Sequence, residues 1–389
     1  MSGAQLRAIF VKNGRLQFRV NMSKFLEKIV GLKKDNLYRE LAVVDVADGV
    51  VVKKNGVKLI SFASNDYFGL SQNLLVKKAA CDAIKKYGVS QGSSRYICGN
   101  NSFYQKLEKQ IAQMKNCDDA IVFSSGYQAA IGAVPALVGE NDLVVADKLI
   151  HACLLDGIKL SGAKLLRFAH NDTKHARMLI EDNIKKYQKI LIITEDVFSM
   201  DGDVGLVEQL QGLAQEFGCL MLSDGAHGLF AGDGFKSHKN LLRMGTFSKA
   251  VGSFGGYVAG DKIMIDYLRN FAKSAIYTTA LPASVLAASL QSLKLISKNN
   301  YAKKVLENAQ YFCKLMNLPK AQSAIVVIKI GDNKKVMQIA KNLEEQGFLI
   351  SAIRPPTVEP KGARLRITFS ALHNKKQIDA LVLALKKCC

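Results

Sequence analysis

From about residue 61 to residue 290, short apolar runs alternate with stretches whose apolar positions recur at helical spacing. The runs at 120–123, 143–146, 190–194, 220–222 and 257–259 have strand length and are apolar at nearly every position, as strands buried on both faces are. Between them, stretches such as 206–217 carry the period of an amphipathic helix. This alternation predicts an α/β domain, a mainly parallel sheet covered by helices. Upstream, 23–43 reads as helical, and 50–62 as a β-hairpin with Asn55-Gly56 at its turn. After Pro282 a long helical stretch runs toward Asn300, and the pattern then changes to strands at 324–330, 349–351 and 364–369 set between helices. The expected organisation is a basic N-terminal extension over 1–21, a helix and hairpin segment over 22–60, a large α/β domain over 61–290 and a smaller α+β C-terminal domain over 291–389. Met22 opens a better helix start than the residues before it, so 1–21 reads as an extension or a misplaced start.

Composition narrows the function classes. At 389 residues the chain suits a large domain with a smaller one. No apolar run reaches the ~18 residues of a membrane helix, so no membrane association is expected. The eight cysteines form no C-x-x-C pair and no regular framework, which points to a reducing, cytoplasmic setting. The histidines show no metal-ligand spacing with them, so no metal is expected. Net charge is +21, but the lysines are spread in helical pairs such as Lys77-Lys78 and Lys185-Lys186. Without an arginine-rich arm or interleaved aromatics they read as solvated faces, not a nucleic-acid surface, with a residual pull on an anionic substrate.

The candidate chemistry lies in two neighbouring stretches. Lys249 ends Thr246-Phe-Ser-Lys249, with Gly252, Gly255 and Gly256 behind it, so a bulky group can approach the backbone there. A lysine kept from water is a competent amine nucleophile, able to form an imine with an aldehyde. By itself a lysine near glycines is more often structural. Upstream, 219–224 is a strand-length apolar run ending in Asp224-Gly-Ala-His227. In α/β sheets ligand-contacting groups gather at the carboxyl ends of strands, and an Asp there can hold a ring nitrogen protonated. Alone, Asp224 could equally cap a loop and His227 fill a core. Phe123-Ser-Ser-Gly126-Tyr127 reads as a strand running into a helix, whose N-terminus suits a phosphate. His151 stands at the start of another expected helix, and Arg354 precedes two prolines that hold its backbone extended, a setting that suits capture of a carboxylate. The remaining histidines, His170, His175, His238 and His373, read as structural or surface.

Taken together, these stretches resemble the α-oxoamine synthases, which use pyridoxal 5'-phosphate (PLP) to condense an amino acid with an acyl thioester and expel CO2. The resemblance runs from about residue 37 to the C-terminal helix and includes Ser64-Asn-Asp-Tyr-Phe-Gly-Leu70, Gly92-Ser-Ser-Arg-Tyr-Ile-Cys-Gly99, Glu195-Asp-Val-Phe-Ser199 and Ile353-Arg354-Pro-Pro-Thr-Val358. It implies fold type I and a set of roles. Lys249 would carry the cofactor, with Asp224 at its ring nitrogen, His151 stacked on the ring, and His227 and Ser199 at the phenolic oxygen. Ser125, Gly126, Tyr127 and Thr246 would hold the phosphate, and Thr279, donated across a homodimer interface, would reach the partner's cofactor. Arg354, with Arg39 and Asn65, would bind the amino-acid substrate. Arg167-Phe-Ala-His-Asn-Asp172 and Ala363-Arg-Leu-Arg-Ile-Thr368 are similar to the members that join L-alanine to pimeloyl-CoA or pimeloyl-acyl-carrier protein. Arg95-Tyr-Ile-Cys-Gly99 instead resembles glycine-using members, which remain the alternative. Two departures, Tyr104 where a histidine is common and Gly225 where an acid is usual, touch the acyl site.

Overall fold

The structure, a computed structural model, describes residues 10–12, 15–17, 22–228 and 238–388. Of the expected basic extension only a short antiparallel pair, Phe10–Lys12 with Arg15–Gln17, falls among them; the rest lies outside the described residues.

The large sheet has seven strands: β1 (Asp119–Phe123), β2 (Leu143–Asp147), β3 (Lys164–Phe168), β4 (Ile190–Glu195), β5 (Leu220–Asp224), β6 (Leu241–Thr246) and β7 (Gly256–Gly260). Their spatial order is β1-β7-β6-β5-β4-β2-β3. All are parallel except β7, which is antiparallel to both neighbours. Strands β2, β4, β6 and β7 are buried along their whole length, which is why β2, β4 and β7 read as apolar runs. Helices α1 (Gly126–Leu137) and α2 (Ala152–Ser161) cover one face and pack on each other. Gly157 makes that approach possible: a Cβ there would stand 2.9 Å from the Ala130 carbonyl. The other face is covered in part by Thr173–Glu181 and Val207–Glu216. This architecture matches the fold class expected from the alternation.

The C-terminal unit is a three-stranded antiparallel sheet, Ile325–Gly331, Ala363–Thr368 and Ser351–Ile353, backed by Tyr301–Leu315, Asn333–Glu345 and Lys375–Cys388. A second sheet binds the N-terminal segment to this unit, because Phe348–Leu349 pairs in parallel with Val57–Ser61. The hairpin forms at Val51–Lys54 and Val57–Ser61, with Asn55 and Gly56 both left-handed (φ 48° and 85°), the conformation that a two-residue turn needs. The expected helix over 23–43 is shorter, Ser23–Lys34. It stops where Asn36 turns left-handed (φ 56°), and Val44–Asp48 is a further strand. One apolar cluster joins Phe62, Phe68 and Leu107 to Phe312, Leu365 and Phe369, so the two regions share a core. Among the described residues, no helix is long and apolar enough to cross a membrane.

Candidate active site

Parallel strands bring their carboxyl ends to one edge of the sheet. Here β1 leads through Ser125 into α1, β2 through His151 into α2, β4 ends at Glu195, β5 at Asp224 and β6 at Thr246. Because β7 runs the other way, its first residue Gly256 pairs with both Thr246 and Phe123 at the same edge.

Lys249 follows β6 into this edge. Its Nζ lies 2.7 Å from His227 Nε2, and His227 Nδ1 lies 2.7 Å from the Tyr67 hydroxyl. Burial pushes the Lys249 ammonium below its ordinary range, against the pull of Asp224 and Glu195. Burial, reinforced by the positive Lys249, Arg366 and His151, holds His227 well below the usual imidazole range, so the ring is neutral. Asp224 is 3% exposed and accepts a hydrogen bond of 2.9 Å from the Ala226 amide. Its carboxyl is raised by burial, with Lys249 opposing the rise. Glu195 sits directly beside Asp224 in the β4–β5 register. It is raised well above the ordinary range by burial and by Asp224, and the His151 amide partly offsets this. Two adjacent buried carboxyls cannot both stay ionised without a cation beside them.

A second cluster forms where β1 enters α1. Ser125 caps the helix by accepting from the Gln128 amide at 3.1 Å. Thr246 Oγ1 contacts Ser248 Oγ and the Gly255 carbonyl, each at 2.8 Å. A Cβ on Gly126 would be 3.6 Å from Thr246 Oγ1, so the helix N-terminus and that hydroxyl are neighbours. Gly256 backs the turn: a Cβ there would stand 2.4 Å from the Ser125 carbonyl oxygen and 2.6 Å from Gly126 N. The Tyr127 hydroxyl donates to the Asp156 carboxylate. His151 caps α2, its Nδ1 accepting from Cys153 N at 3.2 Å, and burial and Lys249 lower its pKa.

The other expected site residues fall into two groups. Asn65 and Ser199 join the Lys249 network indirectly: Asn65 Oδ1 accepts from Arg366 Nη1 and Nη2 at 3.1 and 3.2 Å, and the Ser199 carbonyl accepts from Arg366 Nε at 2.6 Å. Arg39, Arg354 and Thr279 have no described contact with it. Arg39 Nη2 donates to Thr357 Oγ1 at 3.0 Å, Arg354 donates to the Asn36 carbonyl, and burial and Arg39 lower the Arg354 pKa. Thr279 pairs with Ser94 and is exposed, as is Tyr277 nearby (81%). Sequence reasoning named Tyr67, Glu195 and Arg366 only as parts of motifs, without a role. The signal available was Glu195 at the end of an apolar strand, where Asp224 was recognised for the same reason. His170, expected to be structural or surface, ties Asp147 to Asp203; His373 stacks on Phe62 at 4.0 Å inside the core.

The donor set fits PLP. A cap with free helix amides and hydroxyls suits a dianionic phosphate, a buried carboxyl suits a ring N–H, and a depressed-pKa amine suits an aldehyde. A separate cavity of about 1130 Å³, lined by Phe68, Leu206, Gly228 and Tyr301 among others, does not include Lys249 or Asp224 among its described lining.

Known proteins with this pattern are numerous. The family model for aminotransferase class I and II matches residues 57–385. The 8-amino-7-oxononanoate synthase of Methylorubrum populi is 41% identical over 360 residues, 92% of each chain. The crystal structure of 8-amino-7-oxononanoate synthase from Francisella tularensis superposes with a TM-score of 0.72 at 29% identity, covering 85% of this chain and 97% of that one. Serine palmitoyltransferase from S. paucimobilis, with a bound PLP–myriocin aldimine, gives 0.86 at 25% identity, covering 95% of this chain and 98% of that one.

Proposed function

The chain belongs to the aminotransferase class I and II family, and from that premise we propose that it is a PLP-dependent acyltransferase of the 8-amino-7-oxononanoate synthase type. It joins L-alanine to a pimeloyl thioester, releasing CO2 and free thiol, a step of biotin synthesis. The observation that carries this reading is the half-buried Lys249 amine, 2.7 Å from a neutral His227 and within the electrostatic reach of Asp224 at the carboxyl edge of the sheet.

The cofactor supplies an aldehyde that captures an amine and a ring that takes up the electron pair left at the amino acid's α-carbon. Lys249 Nζ would hold that aldehyde and, as a free amine, would take the α-proton as general base. Asp224 holds a proton on the ring nitrogen, where its buried carboxyl favours a cation. The amides of Gly126 and Tyr127, with the hydroxyls of Ser125 and Thr246, bind the phosphate at the N-terminus of α1. His151 would pack against the ring face, and His227, with Ser199, would donate to the ring oxygen. Arg354 captures the alanine carboxylate through its planar fork, with Arg39 and Asn65 beside it. In a cytoplasmic homodimer, Thr279 of the partner subunit would complete the phosphate site; its exposure supports this. The basic chain (+21) draws in an anionic thioester, whether coenzyme A or acyl-carrier protein.

The test is turnover with PLP, L-alanine and pimeloyl-CoA or pimeloyl-acyl-carrier protein, following CO2 and the amino ketone. Product from alanine, and none from Lys249→Ala, supports the reading. A kcat/KM for glycine at least about tenfold above that for alanine overturns it in favour of a glycine-using relative, a 2-amino-3-ketobutyrate ligase or 5-aminolevulinate synthase.

A further inference from the structure

The geometry points to Tyr67 as a positioning residue: held by Arg366, it keeps the neutral His227 imidazole protonated on Nε2, the nitrogen that faces Lys249. The Tyr67 hydroxyl has three polar neighbours, His227 Nδ1 at 2.7 Å, Asn65 Oδ1 at 3.1 Å and Arg366 Nη2 at 3.5 Å. Arg366 is 4% exposed and turns donors from all three of its nitrogens to this corner: Nε to the Ser199 carbonyl, Nη1 and Nη2 to Asn65 Oδ1. Asn65 Oδ1 already accepts from both terminal guanidinium nitrogens, so at 3.1 Å it is the poorer of the two acceptors within reach of the phenol. The phenol proton therefore goes to the closer acceptor, Nδ1 at 2.7 Å. Arg366 Nη2, pointing at the phenol oxygen, polarises the O–H and makes it a better donor.

The opposite arrangement, Nδ1–H donating to the phenol oxygen, would turn the phenol proton to Asn65 Oδ1, a longer contact at 3.1 Å on an oxygen shared with two guanidinium donors. An ionised phenolate would remove that conflict, but burial raises Tyr67 to about 12 despite Arg366. An imidazolium would face Lys249 and Arg366, both cationic when protonated. A neutral ring has one N–H, and with Nδ1 accepting it must be Nε2–H. Across 2.7 Å that proton meets Lys249 Nζ, which can accept it only as a free amine. The same chain of contacts thus fixes two protonation states, a tautomer and an unprotonated lysine. With the cofactor bound, the fixed Nε2–H is the donor offered to the ring oxygen. That consequence rests on the function proposed above, whereas the tautomer in the cofactor-free protein does not.

The two are separated by measuring the tautomer first. Nitrogen-15 NMR of histidine-labelled, cofactor-free protein distinguishes protonated from bare ring nitrogens, and the His227 signals are assigned by their loss in His227→Gln. The expected result is bare Nδ1 and protonated Nε2 at pH 7; a proton on Nδ1, or on both nitrogens, overturns the inference without touching the reaction. In Tyr67→Phe the fixed tautomer should give way to a mixture. With PLP and substrates kcat should fall about tenfold while KM for alanine stays within about twofold. A Tyr67→Phe protein that keeps wild-type His227 signals also overturns it. Should that variant not fold, the wild-type tautomer alone decides.

Discussion

Replacing His170 by glutamine is expected to lower the melting temperature by about 3 °C at pH 7, an effect that shrinks toward zero above pH 10. His170 lies between two carboxylates, its Nδ1 3.1 Å from both oxygens of Asp147 and its Nε2 2.6 Å from Asp203 Oδ2, with the Phe198 ring edge-on at 4.4 Å. Burial alone would lower the imidazole, but hydrogen bonds and charge from Asp147 and Asp203 outweigh it and raise the pKa to about 10. The folded value lies above the ordinary 6.5, so the contribution is complete below about pH 6.5 and is lost as pH rises through about 10. A shift of roughly 3.5 units at 1.36 kcal/mol each would approach 5 kcal/mol. His170 and Asp203 are 25% and 33% exposed, and solvent screening reduces this to about 2–3 kcal/mol. A chain of 389 residues unfolds with an entropy near 0.8 kcal/mol/K, which gives the shift of about 3 °C.

The assay is the difference in melting temperature between wild type and His170→Gln, followed from pH 6 to pH 10.5 so that other titrations cancel. Because Asp147 lies four residues before His151 and Asp203 four after Ser199, the clamp joins two segments of the site. A several-fold loss of kcat/KM with the same pH dependence should accompany the loss of stability. A difference that stays constant across this range refutes the reasoning, since an uncharged His170 would contribute equally at every pH.

Three further outcomes follow from the same physics. Glu195→Gln should melt no lower than wild type at pH 5 and progressively higher toward pH 8. The raised Glu195 carboxyl costs stability as pH climbs above its ordinary 4.5, and the amide does not ionise; a variant that melts lower at pH 8 counts against this. Gly256→Ala must displace the Ser125–Gly126 turn, so its PLP dissociation constant, read by absorbance titration, should rise at least about tenfold; unchanged affinity removes the phosphate from the N-terminus of α1. PLP capture by the cofactor-free protein should accelerate with pH and level off below 10.5, the ordinary lysine value, because Lys249 is depressed. Borohydride should then leave a pyridoxyl group on the peptide containing Lys249 and none in Lys249→Ala; a label on another lysine rejects the assignment.

The large sheet was legible where solvent touches neither face of a strand. Two of its strands were not, for opposite reasons. β3 is an edge strand, and its exposed Lys164 and Arg167 break the apolar run. β6 is buried throughout yet carries Arg243 in its middle, so an interior strand looks half polar in sequence. The attachment of the N-terminal hairpin to Phe348–Leu349 joins segments almost 290 residues apart, which local periodicity cannot report.

The site divides the same way. Asp224, His227 and Lys249 could be picked out because each ends or closely follows a strand, and strand ends can be read locally. Tyr67 and Arg366 could not, since what they do depends on partners 160 and 299 residues away. In Ala363–Thr368 the two arginines alternate with Leu365 and Ile367, a pattern that normally puts Arg364 and Arg366 in water. Instead all six positions are buried. The arginine face is covered by the 199–202 and 65–67 segments, and Arg364 meets Asp201 at 2.5 Å and Glu359 at 2.9 Å while Arg366 takes Ser199 and Asn65. Alternation predicts where water stops only if charge stays on the wet side. This chain closes both faces over these arginines and meets their donors with hydrogen-bond acceptors, most of them distant in sequence. Of the two arginines that patterning misplaces, Arg366 is therefore the one that reaches Tyr67 and, through it, His227 and Lys249.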